Sequence, residues 1–327
     1  MSFVPPTLAE YEQAAAALAG VVSDTPLVET QYLSDVLGAP VLLKLENLQR
    51  TGSFKIRGAS YLMSRLTDDE RARGVVAASA GNHAQGVALA ARELGIHATI
   101  FMPLGVPVPK LLATRGYGAE VILQGPTVEE PLRLAAEFAR ETGAVLVHPF
   151  DHRDIITGQG TLGLELFDEC PDLDTVVLGI GGGGLIAGVA GAIKARAAAA
   201  GRTVRVIGVQ AENSAAYPTS LAAGTPTTAD TRPTIADGIA VARPGDIPFE
   251  MIRELVDEVI TVSEDDIARA LLVLMERAKL VVEPAGAVGV AAILAGKVSA
   301  SGTTVAVISG GNIDPLLMQR VISHGLA

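Results

Sequence analysis

Short apolar runs alternate along this chain with longer segments whose apolar residues recur every three or four positions. The first pattern belongs to buried strands and the second to helices with one face on a core. Thr7-Leu8-Ala9-Glu10 has capping-box spacing and opens a helix that runs to about residue 18 and is closed by Gly20. Thr25-Pro26-Leu27 is extended or turned because of its proline, and 41–45 is a short apolar strand. From Phe54 the pattern predicts helices over 54–66, 82–94, 108–115 and 128–141, alternating with strands over 75–78, 98–101, 119–123 and 144–147. A second series places helices over 154–169 and 185–199 and strands over 175–178 and 204–209. After a Thr-, Pro- and Gly-rich stretch over 224–245 come a strand over 258–262, helices over 264–278 and 285–294, a strand over 303–308 and a last helix over 315–323.

Strands separated by helices imply parallel sheets covered on both faces, which bind ligands at the carboxyl ends of their strands. The expected fold is α/β, with two domains, each an open, mostly parallel sheet with helices on both faces. A length of 327 residues and 49% hydrophobic content suit two such cores. Trp is absent and aromatics are only 4%, which favours close helix–strand packing over an aromatic binding surface.

Charge and cysteine content narrow the function classes. The formal net charge is -11 and the chain has no basic stripe, which argues against nucleic-acid binding. Cys170 is the single cysteine, so an intrachain disulfide and a Cys-based zinc site are excluded, and a reducing cytoplasmic location is expected. The first residues lack the basic-then-apolar pattern of an export signal, and no apolar run reaches spanning length uninterrupted, so no membrane partner is expected.

The candidate chemistry lies at strand-to-helix junctions. Lys55 sits between Phe54 and Ile56, where burial would lower its pKa and expose a neutral amine for imine formation; for any lone lysine, a surface position with its stem on apolar neighbours is the commoner outcome. Gly181, Gly182, Gly183 and Gly184 follow an apolar strand and open a helix, leaving N–H groups free to cradle a phosphate. Gly179, Gly181 and Gly184 also satisfy G-x-G-x-x-G, so a nicotinamide-dinucleotide oxidoreductase is weighed, although Gln210 and Ala211 stand where the ribose-binding acid belongs. Ser79-Ala80-Gly81-Asn82-His83 begins another helix, with Ser79 as candidate cap and exposed N–H groups suited to a carboxylate. Ser309 ends the last strand, placed to face a ring nitrogen or to form an ordinary turn. His97, His148, His152 and His324 show no ligand spacing and are read as structural.

Several motifs occur in order across nearly the whole chain: Ser53-Phe54-Lys55-Ile56-Arg57-Gly58-Ala59, Ser79 to Gly86, Gly181 to Gly184, Thr234 to Gly238, Glu283-Pro284-Ala285-Gly286-Ala287 and Ser309-Gly310-Gly311-Asn312. The set resembles the serine/threonine dehydratase family of fold-type II pyridoxal-phosphate enzymes, which have the tryptophan synthase β-like fold. The resemblance implies a pyridoxal 5'-phosphate cofactor joined to Lys55, with Phe54 against its ring and Asn82 at the ring hydroxyl. It further implies phosphate binding by Gly181 to Gly184, a backbone wall at Gly238, and Ser309 at the pyridine nitrogen. Ser79, Gly81, Asn82 and His83 match the loop that receives the substrate carboxylate. It also implies a small inserted domain over 54–148 within a large domain of 1–53 and 149–327. The implied activity is loss of the β-hydroxyl from L-threonine, and from L-serine, to give a 2-oxo acid and ammonia, in amino-acid metabolism such as isoleucine biosynthesis. Because the chain stops just after the last predicted helix, no C-terminal regulatory domain is expected.

Within the resemblance, serine racemase and hydroxyaspartate dehydratase are the alternatives. The resembling racemases carry a serine where this chain has Ala80, and alanine transfers no proton. Those racemases also bind a divalent ion after the strand over 204–209, where Gln210 and Ala216 replace two of the acids and Glu212 is left as a possible ligand for a monovalent or divalent cation. Family habit implies a homodimer or homotetramer with a small amino-acid substrate.

Overall fold

The computed structural model describes residues 4–125 and 129–324. Its strands are β1 (Leu27–Glu29), β2 (Val41–Lys44), β3 (Val75–Ala78), β4 (Ala98–Met102), β5 (Glu120–Leu123), β6 (Val145–Leu146), β7 (Leu173–Gly179), β8 (Arg205–Ala211), β9 (Glu258–Val262) and β10 (Thr303–Val307). They form two sheets, one ordered β1-β2-β10-β7-β8-β9 and the other β5-β4-β3-β6. Among the strands of the described residues, only β1 runs antiparallel to its neighbour and the other strand pairings are parallel. The expected α/β architecture of two mostly parallel sheets is therefore the one observed.

The continuous apolar runs follow from burial on both sheet faces. In β7, Val176 and Leu178 pack into a core with helices Arg153–Glu169, Gly184–Ala199 and Asp246–Leu255, whereas Val177 between them joins helices Glu264–Val273 and Pro284–Leu294 on the opposite face. The smaller sheet is covered in the same way: Val75 and Ala77 face helices Lys55–Ser64 and Asn82–Leu94, and Val76 and Ala78 face helix Glu129–Thr142. Ser79, Ile180 and Ile308 each follow the carboxyl end of a strand, so the candidate loops all leave the same kind of sheet edge.

Helix Lys55–Ser64 is fastened to the larger sheet by buried charge. All five N–H groups of the fully buried Arg57 are used: Nε and Nη2 donate to Glu46 at 2.8 and 2.9 Å, Nη1 and Nη2 to Glu165 at 2.5 and 2.9 Å, and Nη1 to Thr161 Oγ1 at 3.1 Å. Lys44 at the end of β2 joins the network through Glu165 at 3.2 Å, Glu169 at 2.8 Å and the Thr25 carbonyl at 2.9 Å. Burial opposes ionisation of Glu46, but Arg57, Thr25 and Lys44 outweigh it and hold that carboxyl below its ordinary value.

The structure departs from the pattern reading at four helices, Gln31–Leu37, Asp68–Arg73, Ala216–Ala223 and Asp246–Leu255. Asp68–Arg73 buries no residue, so it carries no apolar period; its Thr67–Glu70 capping box forms it instead. The helix over 264–278 is α-helical only to Val273 and then widens into a π-turn that ends at left-handed Lys279. Val128, where the pattern begins another helix, lies outside the described residues.

Candidate active site

The site assembles around Lys55, the first residue of its helix, with Phe54 as the N-cap. Lys55 Nζ lies 5.3 Å from the Phe54 ring centroid and donates to the Pro149 carbonyl at 2.8 Å. Among the described residues its ammonium has this single acceptor for three N–H groups. Burial lowers the amine to about 8, partly opposed by the Glu283 carboxylate. A substantial neutral fraction at mildly alkaline pH is what a nucleophilic lysine needs.

Pro149 leads directly into Phe150, which carries the neighbourhood to the glycine loop. A Cβ at Gly182 would collide with the Phe150 ring, one at Gly184 would lie 2.9 Å from Phe150 Cα, and one at Gly183 would collide with Tyr217 Oη. Gly183 also has φ 101°, where side chains are strained. Only bare backbone fits here. Among the described residues, the N–H groups of Gly181, Gly182, Gly183 and Gly184 donate to no protein acceptor, although three of these four residues are buried. Unpartnered N–H groups at a helix N-terminus fit an anionic group such as a cofactor phosphate.

The second loop runs from β3 to helix Asn82–Leu94. Ser79 is not its cap as expected: Gly81 holds that position without a side-chain bond, while Ser79 Oγ accepts from the Gly81 N–H at 3.1 Å. A short turn intervenes, leaving the first N–H groups of the helix free for a carboxylate. The buried His83 ring lies 2.8 Å from the Val147 carbonyl through Nε2, so this nitrogen carries the proton. Burial and Lys55 hold the ring neutral, down to about 3.

Asn82 joins this loop to the end of β10. Its Nδ2 donates to Glu283 at 2.6 Å, and its Oδ1 accepts from Asn312 Nδ2 at 2.7 Å. Gly310 lies against the same carboxylate, Gly238 would place a Cβ 3.9 Å from it, and the Glu283 N–H donates to the Gly310 carbonyl at 3.1 Å. Ser309 is buried, its hydroxyl makes no hydrogen bond among the described residues, and its carbonyl accepts from the Phe54 N–H at 3.2 Å. The structure thus brings Phe54, Lys55, Asn82, Gly238 and Ser309 into one connected neighbourhood.

Glu212 makes no hydrogen bond or ion pair with these residues and instead pairs with Lys297 at 3.4 Å. Among the described residues no three His, Cys, Asp or Glu side chains cluster as a metal site. Gln210 is buried and spends its amide on Ile180, Ser214 and Tyr217, so no acid ends β8 to bind a dinucleotide ribose. His152 caps its helix through the Asp154 N–H, His148 accepts from the Phe150 and Asp151 N–H groups, and His97 pairs with Glu120. The side chain of His324 lies outside the described residues.

Sequence reasoning gave no role to Glu283, Asn312, Pro149 or Phe150. Glu283 and Asn312 stood within the motifs, and the glutamate before Pro284 at a helix start was the available signal. Pro149 and Phe150 act through a carbonyl and a ring in a loop, and no spacing marks them.

The site fits a cofactor with a phosphate, an aromatic ring and an aldehyde: the glycine N–H groups, Phe54 with Ser309, and Lys55 answer these in turn. The Pyridoxal-phosphate dependent enzyme family model matches residues 18–310. The L-threonine ammonia-lyase of Thermotoga maritima is 51% identical over 98% of this chain and 79% of its own length. The L-threonine dehydratase catabolic TdcB of Staphylococcus aureus (strain N315) is 46% identical over 98% of this chain and 93% of its own. Maize serine racemase superposes with a TM-score of 0.91 at 36% identity, covering 99% of this chain and 98% of that one. With the family matched over most of its length, this chain belongs to the pyridoxal-phosphate dependent enzymes.

Proposed function

We propose that this chain is a threonine ammonia-lyase, a dehydratase that converts L-threonine to 2-oxobutyrate and ammonia and L-serine to pyruvate and ammonia. The observation that carries it is Lys55, a lysine whose charge is poorly supported, set between an unpartnered glycine cradle and a helix start open to a carboxylate. Two relatives named for threonine, at 51% and 46% identity, support the substrate.

Each group then has a task. Gly181 to Gly184 would hold the phosphate, Phe54 would lie against the ring, Asn82 Nδ2 would donate to the ring oxygen, and the Gly238 backbone would close one side. Ser79, Gly81, Asn82 and His83 present their turn to the substrate carboxylate, which fixes the Cα–H toward Lys55. When bound, pyridoxal phosphate supplies the electron sink that makes that Cα–H acidic. Lys55 Nζ accepts the proton. Ser309 offers the ring nitrogen a hydroxyl and no negative charge, so the site does little to keep that nitrogen protonated and favours prompt departure of the β-hydroxyl. The amino acid loses water to an enamine, which takes water back and releases ammonia with the 2-oxo acid.

Racemisation needs a second proton donor on the opposite face of Cα, and Ala80 has none. The similarity to a serine racemase therefore supports the fold more than that activity. A relative named as a catabolic dehydratase favours threonine breakdown over isoleucine biosynthesis. The reading also includes an inserted unit over 54–148 that closes on the rest, a cytoplasmic location suggested by lone Cys170, and a homodimer or homotetramer by family habit. Among the described residues no helix is long and apolar enough to cross a membrane. The Lys297 contact makes Glu212 a poor cation ligand, so a cation is given no place in the reaction.

The test is 2-oxo acid release from L-threonine and L-serine by the cofactor-loaded protein, with chiral analysis of the remaining amino acid. 2-Oxobutyrate is expected, without D-isomer, falling roughly a thousandfold or more in Lys55→Ala. D-serine formed without oxo acid would contradict the proposal.

A further inference from the structure

Glu283 is a buried carboxyl with no task in the chemistry above, yet it touches the group that meets the cofactor. The bond orientations leave little freedom. Asn312 Nδ2 donates to the Thr51 carbonyl at 2.8 Å, and a carbonyl only accepts, so the nitrogen end of Asn312 is fixed. The same nitrogen donates to Asn82 at 2.7 Å, which makes the facing atom of Asn82 its oxygen. Asn82 must then turn its nitrogen toward Glu283, 2.6 Å away, and one of its two N–H bonds remains unspent.

We propose that Glu283 is a positioning residue of this site: with Asn312 it locks the Asn82 amide so that the second N–H is presented to the cofactor ring oxygen. The inference rests on the threonine ammonia-lyase reading for the reaction but acts at the step of holding the cofactor. Three features of the surroundings fit the role. A Cβ at Gly310 would collide with Glu283 Oε1, so the close approach of this carboxylate requires glycine there. Gly238 lies on another side, where a Cβ would stand 3.0 Å from Ala285 Cβ and 3.9 Å from Glu283 Oε1, and the Glu283 N–H is itself anchored to the Gly310 carbonyl at 3.1 Å. A carboxyl oxygen accepts in either protonation state, so the lock survives titration. Burial, then Asp237, raise this carboxyl to about 7, while Asn82, Lys110 and Lys55 lower it.

Glu283→Gln keeps an acceptor of the same shape, whereas Glu283→Ala removes it. The holoenzyme and its Asn82→Ala, Glu283→Ala, doubly substituted and Glu283→Gln variants are compared by absorbance titration with pyridoxal phosphate and by oxo acid kcat. Each alanine variant is expected to weaken cofactor binding about tenfold, as loss of one hydrogen bond implies. The double variant is expected to be no worse than the poorer single one, because both break one interaction. Glu283→Gln is expected to stay within about threefold of the parent, the range of a retained hydrogen bond. Losses that multiply in the double variant, or a glutamine variant as weak as alanine, would overturn the proposal. Cofactor affinity reads on Glu283, and oxo acid release by the parent protein reads on the threonine assignment, so the two fail separately.

Discussion

Lys55 and Arg57 leave one helix two residues apart and meet opposite surroundings. Arg57 has an acceptor for each of its five N–H groups, with carboxylates on two sides, and its charge is stabilised. Among the described residues Lys55 has one carbonyl and an aromatic ring, with the Glu283 carboxylate as opposing charge, and its ammonium is destabilised. Arg57 is fully buried and Lys55 half-buried, yet desolvation weighs most heavily on both cations. Burial alone therefore does not decide whether a charge is structural or reactive; the completeness of its partners does. The paired arginine ties the helix to the larger sheet, and that rigidity lets the unpaired lysine be held where chemistry needs it.

Breaking the paired side gives the largest effect on stability. Arg57→Met strands Glu46, which is fully buried, and is expected to cost roughly 3–5 kcal/mol in urea denaturation. A loss under about 1 kcal/mol, the worth of an exposed pair, would show that the network is not what holds the helix.

The site side gives an effect of opposite sign. Glu283 faces Lys55, Lys110 and Asp237, and its carboxyl is raised from 4.5 to about 7, mainly by burial. The folded chain therefore holds this proton where the unfolded chain has released it. The associated stability is complete below pH 4.5 and is lost as pH rises through 7. Glu283→Gln mimics the neutral form and is expected to stabilise the cofactor-free protein above pH 7 by roughly 3 kcal/mol, with no gain below pH 4.5. Thermal melts across this range check it, and a gain that does not vary with pH would remove titration of Glu283 as the cause.

The smallest effect is expected far from both. Lys297→Ala breaks the exposed contact with Glu212 and should change stability by less than about 1 kcal/mol and leave oxo acid release unaltered. Loss of activity in that variant would bring the end of β8 back into the site.

Much of this was legible in the chain because it depends on local pattern. The buried strands follow from apolar runs, and Gly181 to Gly184 and Asn82 stand at strand-to-helix junctions that the pattern locates. Lys55 was legible as a position, but not as half of a contrast, since Glu46 and Glu165 reach Arg57 from 11 and 108 residues away. Glu283 was hidden for the same reason: it meets Asn82 across 201 residues. Helix Asp68–Arg73 escaped because it is held by a cap and not by a core face.

The most direct test of the contrast is to ask which lysine reacts. The cofactor-free protein would be incubated with pyridoxal phosphate across pH 6 to 10, reduced with borohydride, and mapped by peptide mass spectrometry. A pyridoxyl adduct on Lys55, formed with a midpoint near pH 8 and absent from the buried but paired Lys44, is the predicted result. An adduct on Lys44, or one scattered over surface lysines with none on Lys55, would contradict the claim that incomplete pairing makes Lys55 the reactive group.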